Sequence, residues 1–220
     1  MFGALALKAS GTVMPVAAGT APTFVGGAAN YVYPGVSTVP LPAGCAAGDY
    51  LVIAGSSSSA GNAITFSGAT QVLAPSSSGV KYLTAYGYTL TATDISNGYV
   101  SANVTYSYVL GVWHSPSGVA IDAVGTYNVV NQFTHIIVDG VTTSVANTVL
   151  VPIFGNAGSA SSLVPTPYPS GYAQVGEANN NAYRVAMLYA TNATAGATGD
   201  IDFGVAPVPE RTFMVALKSK

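Results

Sequence analysis

The sequence predicts an all-β protein: an antiparallel β-sandwich, jelly-roll-like and almost free of helix. Short runs rich in Val, Ile, Tyr, Thr and Phe recur along the chain, as strands of a sandwich do. The 25 glycines and 13 prolines that separate these runs interrupt almost every window long enough for a helix. We therefore expect at most one or two single helical turns.

The candidate strands share β-branched or aromatic residues between turn signals. One of the clearest follows the Gly48-Asp49 turn, and another follows Gly118 near the middle of the chain. In chain order the predicted strands span residues 36–40, 50–56, 64–66, 81–91, 100–106, 108–114, 120–127, 134–138, 148–154, 172–175, 183–190, 199–204 and 212–218.

One predicted strand places tyrosines at alternate positions. Tyr82, Tyr86 and Tyr88 fall on one side of it, because successive side chains of a strand point to opposite faces. Two interpretations remain open. The tyrosines line a half-buried sheet face with their hydroxyls reaching solvent or backbone, or they form a stacking surface for sugars.

The sequence also indicates an internal duplication. Three blocks of the first half recur in the same order, at nearly constant spacing, in the second half: residues 48–54 with 146–152, 82–86 with 183–187, and 108–113 with 212–217. We expect two half-units, about residues 35–114 and 134–218, within one sandwich domain of residues 23–220. A half-unit alone would have too few strands to bury both faces of its sheet.

Residues 1–22, rich in Gly and Ala, precede the predicted domain. Such a segment frays unless it is held by other structure, so we expect an extended assembly arm that packs against a neighbouring chain. Its apolar candidates for that contact are Met1, Phe2, Leu5, Leu7, Val13 and Met14.

Charge is scarce. The chain has 6 basic and 8 acidic residues, 6% of the total, whereas an ordinary soluble domain has about 25%. The net charge of −2 and the lack of a Lys/Arg cluster argue against nucleic-acid binding. No run approaches the roughly 18 consecutive apolar residues of a membrane span, so we expect no membrane insertion. We also expect no secretory signal, because Lys8 follows the short apolar start instead of preceding it.

The sequence offers little for catalysis or for a cofactor. A single cysteine, Cys45, excludes an internal disulfide framework and a cysteine-based zinc site. His114, Ser115 and Asp122 suggest a hydrolytic triad, but no Gly-x-Ser-x-Gly elbow accompanies them. We therefore expect no enzymatic activity, no cofactor and no metal.

Several blocks resemble a known module. Residues 39–44, VPLPAG, followed by residues 47–52, AGDYLV, resemble the opening of a β-sandwich module of tailed-bacteriophage virion proteins and bacterial surface proteins. The resemblance continues through residues 81–91 and 119–125 and ends at residues 213–218. Such modules commonly have an aromatic loop, Pro-x-Gly-Trp, after the second strand, and residues 64–69 contain no Trp.

The resemblance implies a noncatalytic structural protein of a phage particle: head decoration, or a fibre or tail-associated subunit. Its partners would be other virion proteins and copies of itself, and its location would be the virion, assembled in the cytoplasm of a host bacterium. The alternative is a carbohydrate-binding adhesin for host attachment. In that case surface tyrosines would stack on glycans; the candidates are Tyr82, Tyr86, Tyr88, Tyr99, Tyr106 and Tyr108.

Overall fold

The computed structural model describes residues 19–33, 35–77, 82–131, 134–156, 163, 166–180, 183–205 and 210–220. Most of them lie in strands, as the sequence predicts. The strands of the first half are β1 (Thr23–Tyr31), β2 (Val36–Pro40), β3 (Tyr50–Ser57), β4 (Thr70–Ser77), β5 (Tyr82–Thr89), β6 (Tyr99–Val104) and β7 (Ser107–His114).

The second half repeats this series with small additions. Its strands are β8 (Val119–Val124), β9 (Asn128–Val130), β10 (His135–Val138), β11 (Thr142–Thr143), β12 (Thr148–Asn156), β13 (Ala173–Asn180), β14 (Tyr183–Asn192), β15 (Gly196–Ala197), β16 (Ile201–Val205) and β17 (Glu210–Ser219).

Each half builds one large antiparallel sheet and one corresponding small sheet, and the second half adds the short pair β11-β15. The large sheets have the orders β1-β7-β3-β5-β4 and β8-β17-β12-β14-β13, and the small sheets are β2-β6 and β10-β16. When the strands are matched in chain order, the two large sheets have the same arrangement. This repeated strand order is the arrangement that an internal duplication predicts. It begins with β1 and β8, earlier than residues 35 and 134.

A shared apolar core joins the two halves. The inner faces of the large sheets pack on each other through Val52, Leu83 and Trp113 of the first half and Ile153 and Phe213 of the second. All five side chains are fully buried. Because this cluster draws on both halves, neither large sheet buries its inner face without the other.

The outer faces of the large sheets are also covered. One lies against β2 and β6 through a second cluster that includes Leu51 and Leu110, and the other lies against β10 and β16 through Phe154 and Phe203. The molecule thus has four layers. Every residue of β3 and of β12 is buried, whereas β6, in an outer layer, alternates between exposed and buried positions.

Some local elements differ from the sequence prediction. The predicted strand at residues 64–66 reduces to a single bridge between Thr65 and Asn103. Among the residues that the structure describes, the helical elements are a 3-10 turn, Ala60–Asn62, and one α-helix, α1 (Ala92–Asn97). A capping box formed by Thr91 and Asp94 starts α1, and Gly98 ends it in the left-handed conformation.

Strand β1 was not predicted, because Gly26 and Gly27 weaken a strand signal. Close packing explains the glycine at the second position. A Cβ on Gly27 would lie 2.6 Å from Cγ1 of Val175, which belongs to the opposing sheet. The missing side chain of Gly27 therefore leaves room for Val175 where β13 packs against β1.

The scaffold has two distinct ends. At one end, here called the base, Asn147 donates to the carbonyl of Gly19 (3.0 Å) and Ser219 donates to that of Thr20 (2.7 Å). Strands β7, β14 and β17 all start at the opposite end, the tip. There the Ser56 hydroxyl of the first half donates to the Asn156 carbonyl of the second, at 3.2 Å. Of the predicted assembly arm, residues 1–18 lie outside the described residues.

The shared core predicts that neither half folds alone. Residues 19–116 and residues 117–220, produced separately, should lack a cooperative unfolding transition, since each large sheet would expose the apolar face that it buries in the intact protein. Circular dichroism and amide NMR dispersion measure this, with residues 19–220 as the control. A half that unfolds cooperatively as a monomer would contradict the prediction.

Candidate functional site

The three predicted tyrosines of β5 have different environments. Tyr86 and Tyr88 pack against the outer core beside Phe66, with ring centroids 6.4 Å and 4.7 Å from that ring. The Tyr88 hydroxyl donates to Asp94 at 3.1 Å, and burial together with this bond raises the pKa of Tyr88. Tyr82 is half-buried where β5 starts, at the tip. The tyrosines of β5 are thus partly buried, and Tyr86 is the one that lines the open hollow described next.

An open hollow of about 570 Å³ lies beside Tyr86. Its floor includes the buried ring of Phe66, and its walls are uncharged hydroxyl and amide side chains. The lining residues are Ser37, Thr38, Thr65, Phe66, Ser67, Tyr86, Ser101 and Asn103. Two backbone hydrogen bonds between Thr65 and Asn103, of 3.1 and 2.9 Å, fix the loop against β6. The combination of aromatic edge and neutral polar groups suits a hydroxyl-rich ligand.

A second aromatic group, at the tip, combines residues from both halves. Tyr33 stacks on Tyr106, with ring centroids 5.6 Å apart and an interplanar angle of 16°, and Tyr106 contacts Tyr183 at 4.2 Å. Tyr33 is 66% exposed. Of these three tyrosines, Tyr106 is among the glycan-stacking candidates that the sequence predicts, and Tyr33 and Tyr183 are not. Tyr183 was detectable, because the matched blocks align it with Tyr82.

The remaining tyrosine candidates do not join either group. Tyr108 is buried in the outer core with 3% of its surface exposed, which removes it from contact with any glycan. Tyr99 is 36% exposed, at the start of β6.

The base contains a larger cleft, of about 820 Å³, beside Gly19 and the last strand. Lys218 lines it and pairs with Asp122, at 2.9 Å from Nζ to Oδ1. The backbone N–H of Ser144 donates to the other oxygen of Asp122 at 2.7 Å, and its hydroxyl donates to Oδ1. Burial alone would raise the pKa of Asp122, but the bonds from Ser144 and Lys218 outweigh it, so the pKa lies below its usual value.

The residues considered for a hydrolytic triad bond to other partners. His114 Nδ1 lies 2.6 Å from Asp49 Oδ1, whereas Asp122 binds Ser144 and Lys218. The Ser115 hydroxyl pairs with that of Ser117 at 3.2 Å. These contacts place the three groups in separate interactions.

The carboxylates near the end of the chain also have local roles. Asp200 accepts from the N–H of Gly140 at 3.0 Å, and Asp202 pairs with His135 at 2.6 Å. The described part of the chain contains no group of three or more His, Cys, Asp or Glu side chains arranged to hold a metal ion. No helix in that part is long and apolar enough to cross a membrane. Burial, and secondarily Asp49, raise the pKa of the Cys45 thiol, so it stays protonated at neutral pH.

Comparisons of the chain with protein-family models, with curated proteins and with solved structures found no match. The resemblance of residues 39–52 to a phage and surface-protein module stays a prediction.

The Asp122 contacts predict a stability difference that depends on pH. Asp122→Asn should lower the free energy of unfolding at pH 7 by roughly 1.5–3 kcal/mol, the usual range for hydrogen bonds to a charged group. Because the folded-state pKa is below the ordinary 3.8, the stabilisation is complete above that value and is lost as the pH falls through the lower folded pKa. Urea unfolding at pH 7 and near pH 3 measures the difference.

The control for this prediction is Asp202→Asn, because the Asp202 side chain is 49% exposed. It should change the free energy of unfolding much less than Asp122→Asn. An Asp122→Asn variant that is as stable as the original chain at pH 7, or equally destabilised at both pH values, would contradict the assignment.

Proposed function

We propose that the chain is a noncatalytic structural subunit of a tailed-bacteriophage particle, in a head or tail lattice. The observation that best supports the proposal is the four-layer scaffold of a chain in which only 6% of the residues are charged. Such a subunit packs against neighbours without burying unpaired ions, and unpaired buried ions are the costly component of an interface. Its partners are other virion proteins and further copies of the chain.

The arrangement of the two ends also supports this role. Residues 1–18 join the scaffold at the base, where Gly19 and Thr20 are fixed by Asn147 and Ser219. The tip has exposed apolar side chains besides the tyrosines: Val36, Val129 and Val205 are each more than one third exposed. An arm at one end and an apolar surface at the other give the subunit separate contacts for attachment and for neighbours.

Deletion of residues 2–18 tests the arm. The truncated chain should keep its urea midpoint, since the shared core is intact, but should be absent from purified particles analysed by mass spectrometry. The matched control is the full chain with Tyr99→Ser, which changes an exposed side chain away from the arm and should be incorporated normally. Normal incorporation of the truncated chain would contradict the role of the arm, and absence of the full chain from particles would contradict the function.

A second candidate function, glycan binding by an adhesin, is favoured by the hollow beside Tyr86. Its uncharged hydroxyl and amide lining and its aromatic edge match the groups of a neutral sugar. Replacing the exposed Ser101 with Trp fills the hollow and leaves the core untouched. Glycan-array binding by the original chain, reduced at least about tenfold by Ser101→Trp, supports this function. No binding to the array excludes it.

A further inference from the structure

We propose that the three tyrosines at the tip form a second saccharide site, a stacking platform for the apolar face of one neutral pyranose. The platform consists of Tyr33, Tyr106 and Tyr183. It shares its ligand class with the glycan-binding function proposed above but is separate from the hollow beside Tyr86.

Backbone contacts hold the segment that contains Tyr33, the outermost ring of the platform. The N–H of Val32 donates to the carbonyl of Tyr106 at 2.8 Å, which holds the segment containing Tyr33 against the turn between β6 and β7. Gly35, which follows in this segment, has a φ of +120°, and a Cβ there would lie 3.1 Å from the carbonyl oxygen of Val104. A glycine is therefore required to bring the chain back to β2 so close to that turn.

The rings below Tyr33 hold its orientation. Tyr106 stacks on it nearly in parallel, and the Ser58 hydroxyl donates to the Tyr106 hydroxyl at 3.4 Å. Tyr183 supports Tyr106 from the other half of the molecule, and its carbonyl accepts a hydrogen bond from Ser107. A ring that is oriented before binding loses little conformational entropy when a ligand stacks on it.

The chemistry around the platform favours a neutral sugar. An aromatic ring has a negative face, which attracts the electropositive C–H groups on the apolar side of a pyranose. The side chains bonded to the Tyr106 hydroxyl and next to it are neutral: Ser58 donates to Tyr106, and Asn62 in turn donates to Ser58 at 3.2 Å. Hydroxyl and amide groups at the edge of a ring exchange hydrogen bonds with sugar hydroxyls.

The size of the platform matches one sugar better than a second protein. Its most exposed ring is that of Tyr33, of about the dimensions of a pyranose, whereas a stable subunit interface buries about 800 Å² on each partner. The platform therefore differs from the broader apolar surface proposed above for contacts between subunits.

Titration of the full chain with neutral tetrasaccharides of β-linked galactose and of β-linked glucose, followed by NMR, tests the proposal. We expect chemical-shift changes at Tyr33, Tyr106 and their neighbours. Tyr33→Ser should weaken this binding by about tenfold, the effect of losing one aromatic stacking contact. Tyr33→Phe, which keeps the ring, and Tyr99→Ser, which removes a different exposed tyrosine, should bind like the original chain.

The outcomes separate this site from the functions proposed above. Binding that is lost in Ser101→Trp but unchanged in Tyr33→Ser leaves the hollow as the glycan site and overturns the platform. Failure of both tetrasaccharides to bind overturns the platform as well. A Tyr33→Ser variant that changes the oligomeric state but not saccharide affinity makes the tip an interface between copies, and this also overturns the proposal.

Discussion

The apolar contact between the two large sheets is the constraint on which the rest of the structure depends. Each large sheet is covered on its outer side by a small sheet of its own half, and its inner side packs against the large sheet of the other half. Trp113 and Phe213, fully buried from opposite halves, belong to the same cluster. Fusion of the two half-units in one chain keeps them together at any protein concentration, so folding needs no association step.

This constraint also explains where exposed groups occur. With every residue of β3 and β12 buried, the central strands contribute nothing to the surface. Exposed side chains therefore lie on the outer small sheets, at the sheet edges and at the two ends of the molecule. The hollow beside Tyr86 lies between an outer sheet and the edge of a large one, the tyrosine group lies at the tip, and Gly19, where the described part of the chain begins, lies at the base. Loops and edges on a rigid scaffold are the usual places for recognition.

The sequence predicted the fold class and the duplication because both depend on local patterns. Strand signals and turn residues are short-range, and the matched blocks preserve the order of the central strands. The sequence could not predict that the halves pack through their large sheets, since buried strands on both sides show continuous apolar runs with no indication of which face meets which layer. Strand β1 could not be predicted for a related reason. Its Gly27 weakens the local strand signal, and the contact with Val175 that requires a glycine there is a tertiary contact.

The candidate sites, like the fold, could be predicted from the sequence only where they depend on local patterns. The alternation of Tyr82, Tyr86 and Tyr88 predicts that the three side chains share one face of the strand. The hydrogen bond from Tyr88 to Asp94 of α1 could not be predicted in the same way, because the fold determines where the capped helix lies relative to the strand. The platform joins Tyr33 and Tyr183, which are distant in sequence and in different halves. A single sequence holds no periodic signal for such a convergence.

Native-state hydrogen exchange tests the shared core most directly. The slowest-exchanging amides of β3 and of β12 should report the same free energy of opening, within about 1 kcal/mol, because both strands open only in global unfolding. Phe213→Ala, in the second half, should lower both values equally, by about 3–5 kcal/mol. Protection that falls in β12 but persists in β3 would show that the halves are stable independently, and would contradict the account.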